Sequence, residues 1–137
     1  MSNNFKFPEK QELTISLHDL LETKVDDKYY LSAEQIESRK ATSWESSQYN
    51  KCILNNRIIH PTLLTSPLSL LEDERGVRKL VPRECWKLMG FSDEDFNKVQ
   101  AANISDTQLY KQAGNSIVVN LLEVIFKCLF GGDENGK

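Results

Sequence analysis

Basic side chains are concentrated in one short stretch of an acidic chain. The 137 residues carry a formal net charge of −3, yet five cations fall within the thirteen residues from 75 to 87. These cations are Arg75, Arg78, Lys79, Arg83 and Lys87, and Glu84 is the only acid between them. Such a cluster can contact phosphates while the rest of the surface stays acidic. The pattern leaves open a plainer alternative, in which the cations only solvate one face of a helix.

A second polar group stands directly before an apolar segment. Gly114, Asn115 and Ser116 precede a run that consists mainly of Ile, Val, Leu, Phe and Cys up to Phe130. Taken alone, this group indicates the start of a helix with Asn115 or Ser116 as the N-cap, because their side-chain oxygens can accept from free backbone N–H groups.

The cysteines and histidines predict no metal site. Cys52, Cys85 and Cys128 are widely spaced and form no Cys-x-x-Cys pair, which argues against both zinc binding and a disulfide framework. The two histidines are isolated from each other. The N-terminus lacks an apolar signal region, and polar residues interrupt each apolar stretch before it reaches membrane-spanning length. We therefore expect a cytoplasmic chain with no metal and no membrane partner.

Short elements are expected in the first half of the chain. Leucines at helical spacing predict a helix over residues 13–24, and an aromatic run predicts a strand over residues 28–31. Ser32 can cap a helical turn, and the polar residues 37–51 indicate a loop. Asn55-Asn56 favours a tight turn, because Asn tolerates positive φ. This turn would join two strands of a hairpin at residues 52–54 and 57–59.

The second half is predicted to be mostly helical. Pro82 suits the first turn of a helix, and Gly90 suits its end. Ser92 and Ser105 each precede an acidic or amide residue by three positions, which indicates two further N-caps. The helices are predicted over residues 82–89, 93–101, 106–112 and 116–130.

The last predicted helix has little polar surface. Its polar residues, Asn120, Glu123 and Lys127, form one narrow stripe. An apolar helix of this kind is normally enclosed, because burying each Leu, Ile, Val or Phe stabilises by about 1.5–3 kcal/mol. We therefore expect a partner surface that covers the helix, and self-association through it is one form that this partner can take.

Two blocks resemble the last two signature motifs of the DNA cytosine-5 methyltransferases. The run from Arg78 to Phe91 is similar to the family's Arg-x-Leu-Thr-Pro-Arg-Glu block, which precedes a short helix and Gly-Phe. The run from Tyr110 to Val119 resembles the family's final block. The order of the two blocks and the spacing between them agree with the family. A weaker similarity to the lead-in of the target-recognition region extends the resemblance over residues 5–130.

The resemblance implies transfer of a methyl group from S-adenosylmethionine to carbon 5 of a cytosine that is flipped out of double-stranded DNA. In the family, the cysteine of a Pro-Cys dipeptide attacks carbon 6, and the glutamate of a Glu-Asn-Val block supports the ring. Neither block occurs in these 137 residues, and neither does a Phe-x-Gly-x-Gly cofactor loop. We therefore expect no catalytic residue in this chain and no methyl transfer by it alone.

The resemblance also implies roles for individual residues. Asn115 and Ser116 would contact S-adenosylmethionine, and Gly114 would permit a close backbone approach. Arg83 and Glu84, which follow Pro82, would organise the recognition region.

The chain departs from the family at one motif position and has a short recognition region, at about residues 33–76. Val81 stands where the family usually has Thr, which removes a helix cap of about 1 kcal/mol. The candidates for DNA contact are Arg57, Thr62, Thr65, Arg75 and Arg78. The arginines among them could bind a phosphate or a guanine base.

These expectations combine into an α+β fold with short strands in the N-terminal half and several helices in the C-terminal half. It would complete a missing α/β catalytic lobe. We predict a lead-in and short recognition region over residues 1–76, a helical segment that docks on the lobe over 77–130, and a tail over 131–137. The expected partners are double-stranded DNA and an N-terminal catalytic lobe or subunit. The alternative is a non-enzymatic remnant that acts as a DNA-binding or protein-interaction module.

Overall fold

The computed structural model of the chain describes residues 8–9, 12, 14–41, 54, 60, 62–65 and 69–130. Within these ranges, two 3-10 turns and a helix precede an antiparallel hairpin, and four helices follow it. The 3-10 turns are Leu17–Leu20 and Asp27–Tyr29; the strands are β1 (Leu70–Asp73) and β2 (Gly76–Lys79); the helices are α1 (Ala33–Ala41), α2 (Pro82–Leu88), α3 (Asp93–Ala101), α4 (Asp106–Asn115) and α5 (Val119–Phe130). The predicted α+β class is confirmed.

The hairpin of β1 and β2 is closed by a tight turn. Leu70 pairs with Lys79 and Asp73 pairs with Gly76. The Asp73 carboxylate accepts a hydrogen bond from the backbone N–H of Arg75 at 2.8 Å, which is a common side-chain device for a turn. Gly76 has a φ of 130°, a value that favours glycine. This hairpin was not predicted, although the Asp and Gly that flank its turn were a readable signal.

The predicted hairpin at residues 52–54 and 57–59 lies outside the described residues, apart from Leu54. The side chain of Leu54 is fully buried, and its backbone N–H donates to the carbonyl of Leu70 at 2.9 Å. Residue 54 therefore packs against the hairpin that the structure does contain.

The helix predicted over residues 13–24 is wrong for the described residues, which contain only the 3-10 turn Leu17–Leu20. Leu21 already has an extended backbone, with ψ at 144°. The backbone N–H of Glu22 donates to the side chain of Glu84 at 2.9 Å, so a tertiary contact takes the donor that a continuing helix would need. Leu17 still faces the core, as the leucine spacing indicated.

The strand predicted over residues 28–31 is also mostly replaced by a 3-10 turn. The Asp26 carboxylate accepts from the backbone N–H of Lys28 at 3.0 Å and so caps the turn Asp27–Tyr29. Only the end of this segment pairs like a strand: Tyr30 forms an antiparallel bridge with Arg78, and the backbone N–H of Leu31 donates to the carbonyl of Val77.

The cap predicted at Ser32 is confirmed, because its hydroxyl accepts from the backbone N–H of Gln35 at 3.2 Å. The helix continues to Ala41, so the loop predicted over residues 37–51 is wrong for residues 37–41, and the rest of it lies outside the described residues.

The helices of the second half follow the prediction closely. α2 begins at Pro82 and is followed by Gly90 at a φ of 85°. α3 has the predicted bounds, and the Ser92 hydroxyl caps it at 3.1 Å. α4 begins as expected after Ser105 but runs three residues further, and α5 begins at Val119 rather than near residue 116.

The main core lies between α2, α3 and α4. Trp86 is 7% exposed, lies 4.8 Å from Phe91 and 5.6 Å from Phe96 between ring centroids, and donates its indole N–H to the carbonyl of Leu109 at 3.1 Å. Tyr110 donates its hydroxyl to the carbonyl of Leu80 at 2.6 Å. These bonds satisfy the polar atoms of two large buried side chains and fix α4 against α2.

α5 stands outside this core. None of its residues is buried, and Leu121, Phe126, Leu129 and Phe130 are 50% to 77% exposed. Much of the apolar surface of α5 is therefore exposed in the described structure, and the partner surface expected to cover it stays a prediction.

The segment Asp106–Phe130 is long and apolar enough to pass a length-and-composition test for a membrane span. In the structure this segment is two helices separated at residues 116–118, and α4 packs in the core through Leu109 and Ala113. α5 alone has 12 residues, fewer than the roughly 20 that cross a bilayer. The segment is therefore weak evidence for a membrane span.

Candidate functional site

The junction between α4 and α5 carries the Gly114-Asn115-Ser116 group. Asn115 is the last residue of α4 and is exposed. Ser116 has an extended backbone, and its hydroxyl donates to the carbonyl of Ala113 at 2.8 Å. The expected N-cap role is therefore wrong for both residues, because Ser116 closes the C-terminal end of α4 instead. The exposed Ile117 follows, so the junction offers an amide beside apolar surface.

Gly114 lies where α4 touches another part of the backbone. A Cβ atom at this position would lie 2.6 Å from the carbonyl carbon and oxygen of Leu64 and from the nitrogen of Thr65. Real Cβ atoms essentially never come so close to backbone. In the structure, the backbone that closely approaches this glycine is that of residues 64 and 65 of the same chain. An approach to a cofactor stays a prediction.

The two motif blocks meet in the structure. The backbone N–H of Val119 donates to the carbonyl of Met89 at 2.9 Å, so the start of α5 is fastened to the end of α2. A Cβ at Gly90 would lie 3.2 Å from Oδ1 of Asn120. Met89 and Val119, which are thirty positions apart in the sequence, are therefore in contact, and Val119 follows Asn115 and Ser116 by only a few residues.

Glu84 forms the polar centre of the fold. It is 0% exposed, and its carboxylate accepts from Nη1 and Nη2 of Arg78 at 3.0 and 2.9 Å. It also accepts from the backbone N–H of Val81 at 2.7 Å and from that of Glu22 at 2.9 Å. The bond from Val81 is the half of a capping box that a glutamate at the third helical position supplies, whereas the valine side chain has no oxygen for the other half. One side chain thus joins the lead-in, β2 and the start of α2.

Arg78 is as deeply buried as its partner, at 3% exposed. Burial would lower the pKa of Arg78, but the bonds to Glu84 outweigh burial and raise it above the ordinary value. Nε lies 3.4 Å from a carboxylate oxygen of Asp73 without a hydrogen bond. The guanidinium is therefore charged and held inside the fold, where it has no face available to DNA.

Arg83 holds α2 against α3. Its guanidinium donates to Asp93 at 2.8 Å and to Asn97 at 2.6 Å, and it lies 4.6 Å from the ring centroid of Phe96. The hydrogen bond from Arg83 is the main reason why the pKa of Asp93 is lowered. These contacts lie within the helical segment, and the role in organising the recognition region that the resemblance implied for Arg83 stays a prediction.

The other predicted DNA contacts are scattered. Arg57 lies outside the described residues, while Thr62 and Thr65 are exposed. Arg75 turns back onto the second 3-10 turn, where it bonds to the carbonyl of Val25 at 2.9 Å, pairs with Asp27 and stacks on Tyr30. Of the four candidates that the structure describes, both arginines are therefore held by other groups of the chain and both threonines are exposed. Among the residues that the structure describes, no group of three His, Cys, Asp or Glu side chains could hold a metal ion.

Comparisons with known proteins place the chain in a family. A family model for C-5 cytosine-specific DNA methylases matches residues 1–131. The type II methyltransferase M2.ScrFI of Lactococcus lactis subsp. cremoris is 36% identical over 94% of this chain. The type II methyltransferase M.Bsp6I of Bacillus sp. (strain RFL6) is 33% identical over 93% of it, and the orphan methyltransferase M.SPBetaI of Bacillus phage SPbeta is 65% identical over 37% of it.

The chain spans less than half of the length of these relatives. The matches cover 37% of M2.ScrFI, 44% of M.Bsp6I and 12% of M.SPBetaI. The family match covers nearly the whole chain and includes both motif blocks that meet at the α2–α5 contact. The chain therefore belongs to the C-5 cytosine-specific DNA methylase family.

Proposed function

We propose that this chain supplies the DNA-recognition part and one side of the cofactor pocket of a DNA cytosine-5 methyltransferase. The methyl transfer would take place in a catalytic lobe that carries the Pro-Cys and Glu-Asn-Val blocks. The chain by itself would transfer no methyl group, because its sequence holds neither the nucleophile nor the carboxylate that the reaction needs.

The observation that carries this proposal is the uncovered surface of α5 and the adjoining junction. Ile117, Leu121, Phe126 and Leu129 are each at least half exposed. Apolar surface of this extent on a small domain typically marks an interaction site. The relatives, which are more than twice as long as the aligned region, have further chain that could form the opposing surface.

The residues at the junction fit one wall of a pocket for S-adenosylmethionine. The exposed carboxamide of Asn115 can both donate and accept hydrogen bonds, which suits the polar groups of the cofactor. Ile117 and Val118 beside it are exposed and apolar, which suits an adenine ring. When bound, the cofactor supplies the methyl group, while Asn115 and Ser116 would orient it and the apolar pair would exclude water.

The test is reconstitution from two polypeptides. The purified chain, a catalytic lobe carrying the two missing blocks, and their mixture are each incubated with duplex DNA and tritiated S-adenosylmethionine. We expect tritium in the DNA only with the mixture. Phe126→Lys should abolish this activity without unfolding the chain, whereas Lys127→Gln, on the same helix, should retain it. Methyl transfer by the chain alone would refute the proposal.

The second candidate function is a non-enzymatic module that binds DNA or another protein, and the exposed apolar surface of α5 supports its protein-binding form. Self-association through α5 would cover the same surface. Reconstituted activity would exclude the module as the main role. A monomer in sedimentation at high concentration would exclude self-association.

A further inference from the structure

A cavity of about 430 Å³ opens between the second 3-10 turn, the end of β2 and the first turns of α4. The charged and threonine side chains in its lining are Lys28, Lys79, Lys111, Thr65, Thr107 and Asp106. Three lysines against one carboxylate give this lining a formal charge of +2, in a chain whose net charge is −3. The cavity is therefore a locally positive site on an acidic protein, where the potential favours an anion.

The carboxylate in the cavity does not compete with an incoming anion. Asp106 accepts from Nζ of Lys28 at 2.8 Å and from the hydroxyl of Tyr29 at 2.8 Å. Burial would raise the pKa of Asp106, but these two bonds outweigh burial and lower it. Asp106 is thus ionised, and its charge is balanced by Lys28.

The remaining polar groups of the cavity are donors. In the part of the chain that the structure describes, Lys79 and Lys111 form no ion pair, unlike the neighbouring Arg75 and Arg78. The two ammonium groups carry three N–H donors each, and the threonine hydroxyls can donate as well. Phosphate oxygens only accept, so the free groups match the chemistry of a phosphodiester.

Three of these donors lie on two segments that touch each other, α4 and residues 64–65, while Lys79 is at the end of β2. Thr107, Lys111 and Gly114 are spaced by four and three residues and share one face of α4. Because Gly114 has no side chain, the backbone of residues 64 and 65 lies directly against this face. Thr65 is therefore held beside the lysines by the glycine of the family motif.

We propose that Lys79 and Lys111, with Thr65 and Thr107, bind a phosphodiester of the DNA backbone. The identity of the anion as DNA rests on the proposed function, since the cavity itself offers only charge and donors. A contact of this kind positions the chain on the duplex without reading its sequence. The two arginines of the basic cluster that precede Lys79 are held by other groups, because Arg78 is buried against Glu84 and Arg75 is paired at the surface with Asp27.

The test is DNA binding by the full chain, measured by fluorescence anisotropy with two duplexes of unrelated sequence over a salt series. Lys79→Gln and Lys111→Gln should each weaken binding roughly eightfold at about 0.1 M salt and make the slope of log K against log salt shallower by about 0.9, equally for both duplexes. Lys98→Gln removes the same charge from α3, outside the cavity, and should change affinity less than twofold. Thermal unfolding would verify that each variant is folded.

Three results would overturn the site. The first is an equal loss of DNA affinity in the cavity variants and in Lys98→Gln. The second is a loss of affinity for only one of the two duplexes, and the third is no DNA binding by the unaltered chain at about 50 mM salt. The reconstitution assay reports separately on the proposed function. If reconstitution fails while the two cavity variants lose affinity and slope, the methyltransferase role is wrong and the phosphate site stands.

Discussion

Replacing Glu84 by alanine should remove a large part of the stability of the chain. The carboxylate is fully buried and accepts from Arg78 and from the backbone N–H groups of Glu22 and Val81. Alanine would remove both hydrogen bonds to the buried guanidinium and leave it one nearby carboxylate, that of Asp73, which lies 3.4 Å from Nε without a hydrogen bond and is partly exposed. Breaking a buried ion pair from one side costs about 3–5 kcal/mol. Ordinary domains have only roughly 5–15 kcal/mol of stability.

Urea unfolding followed by tryptophan fluorescence can measure this cost, because Trp86 is buried on the same helix as Glu84. With an m value of about 1–3 kcal/mol per molar, the expected loss lowers the unfolding midpoint by about 1 M or more. Glu84→Gln keeps the side-chain volume and one acceptor oxygen, so its unfolding midpoint should lie between those of Glu84→Ala and the unaltered chain. Glu94→Ala is the control, since it removes a carboxylate that pairs with Lys98 on the exposed surface of α3 and should shift the midpoint little.

A double variant separates the ion pair from general packing. Arg78→Met combined with Glu84→Ala removes both charges, so its loss should be clearly smaller than the sum of the two single losses. Additive losses would refute the account of Glu84 as the partner of a buried charge. A loss below about 1 kcal/mol for Glu84→Ala would also refute it.

Three further predictions follow from single side chains. Gly114→Ala should lower the thermal unfolding midpoint because its methyl group would overlap neighbouring backbone, whereas helix propensity alone predicts a gain of about 1 kcal/mol, so a raised midpoint would contradict the contact. Burial would raise the pKa of Asp106, but hydrogen bonds, chiefly from Lys28, lower it, so its stabilisation is present above about pH 4 and lost as the pH falls further. Urea midpoints at neutral and acid pH should therefore differ less in Asp106→Asn than in the unaltered chain, and an equal difference would contradict this linkage. Burial raises the pKa of Cys85 to about 12, so iodoacetamide should label the exposed Cys128 and spare Cys85 until urea unfolds the chain, as mass spectrometry of the peptides can show.

Local rules predicted the helical half well. α3 has the bounds that the Ser92 cap and the following acidic turn indicated, and α2 begins at Pro82 as expected. In both cases the deciding groups are neighbours in the sequence, so no knowledge of distant residues was needed. The apolar character of α5 was readable for the same reason, because it depends only on composition along one helix.

Local rules failed where a distant residue takes a backbone group. The leucine spacing before residue 24 is helical, yet the N–H of Glu22 is bonded to Glu84, which lies 62 positions away. A distant contact also explains the glycine near the end of α4. Glycine often marks the end of a helix, but Gly114 lies within α4, and the backbone of residues 64 and 65 packs against it.

The sequence by itself determined the family, the α+β class and the presence of an apolar last helix, because motifs, caps and composition are properties of contiguous residues. It also located the basic cluster, but only the tertiary structure decided which of those cations are free. Lys87 pairs with Glu22 across 65 positions, Arg75 pairs with Asp27 across 48, and Lys79 forms no ion pair within the described chain. An ion pair depends on the distance between two charges in space, and folding sets that distance independently of their separation along the chain.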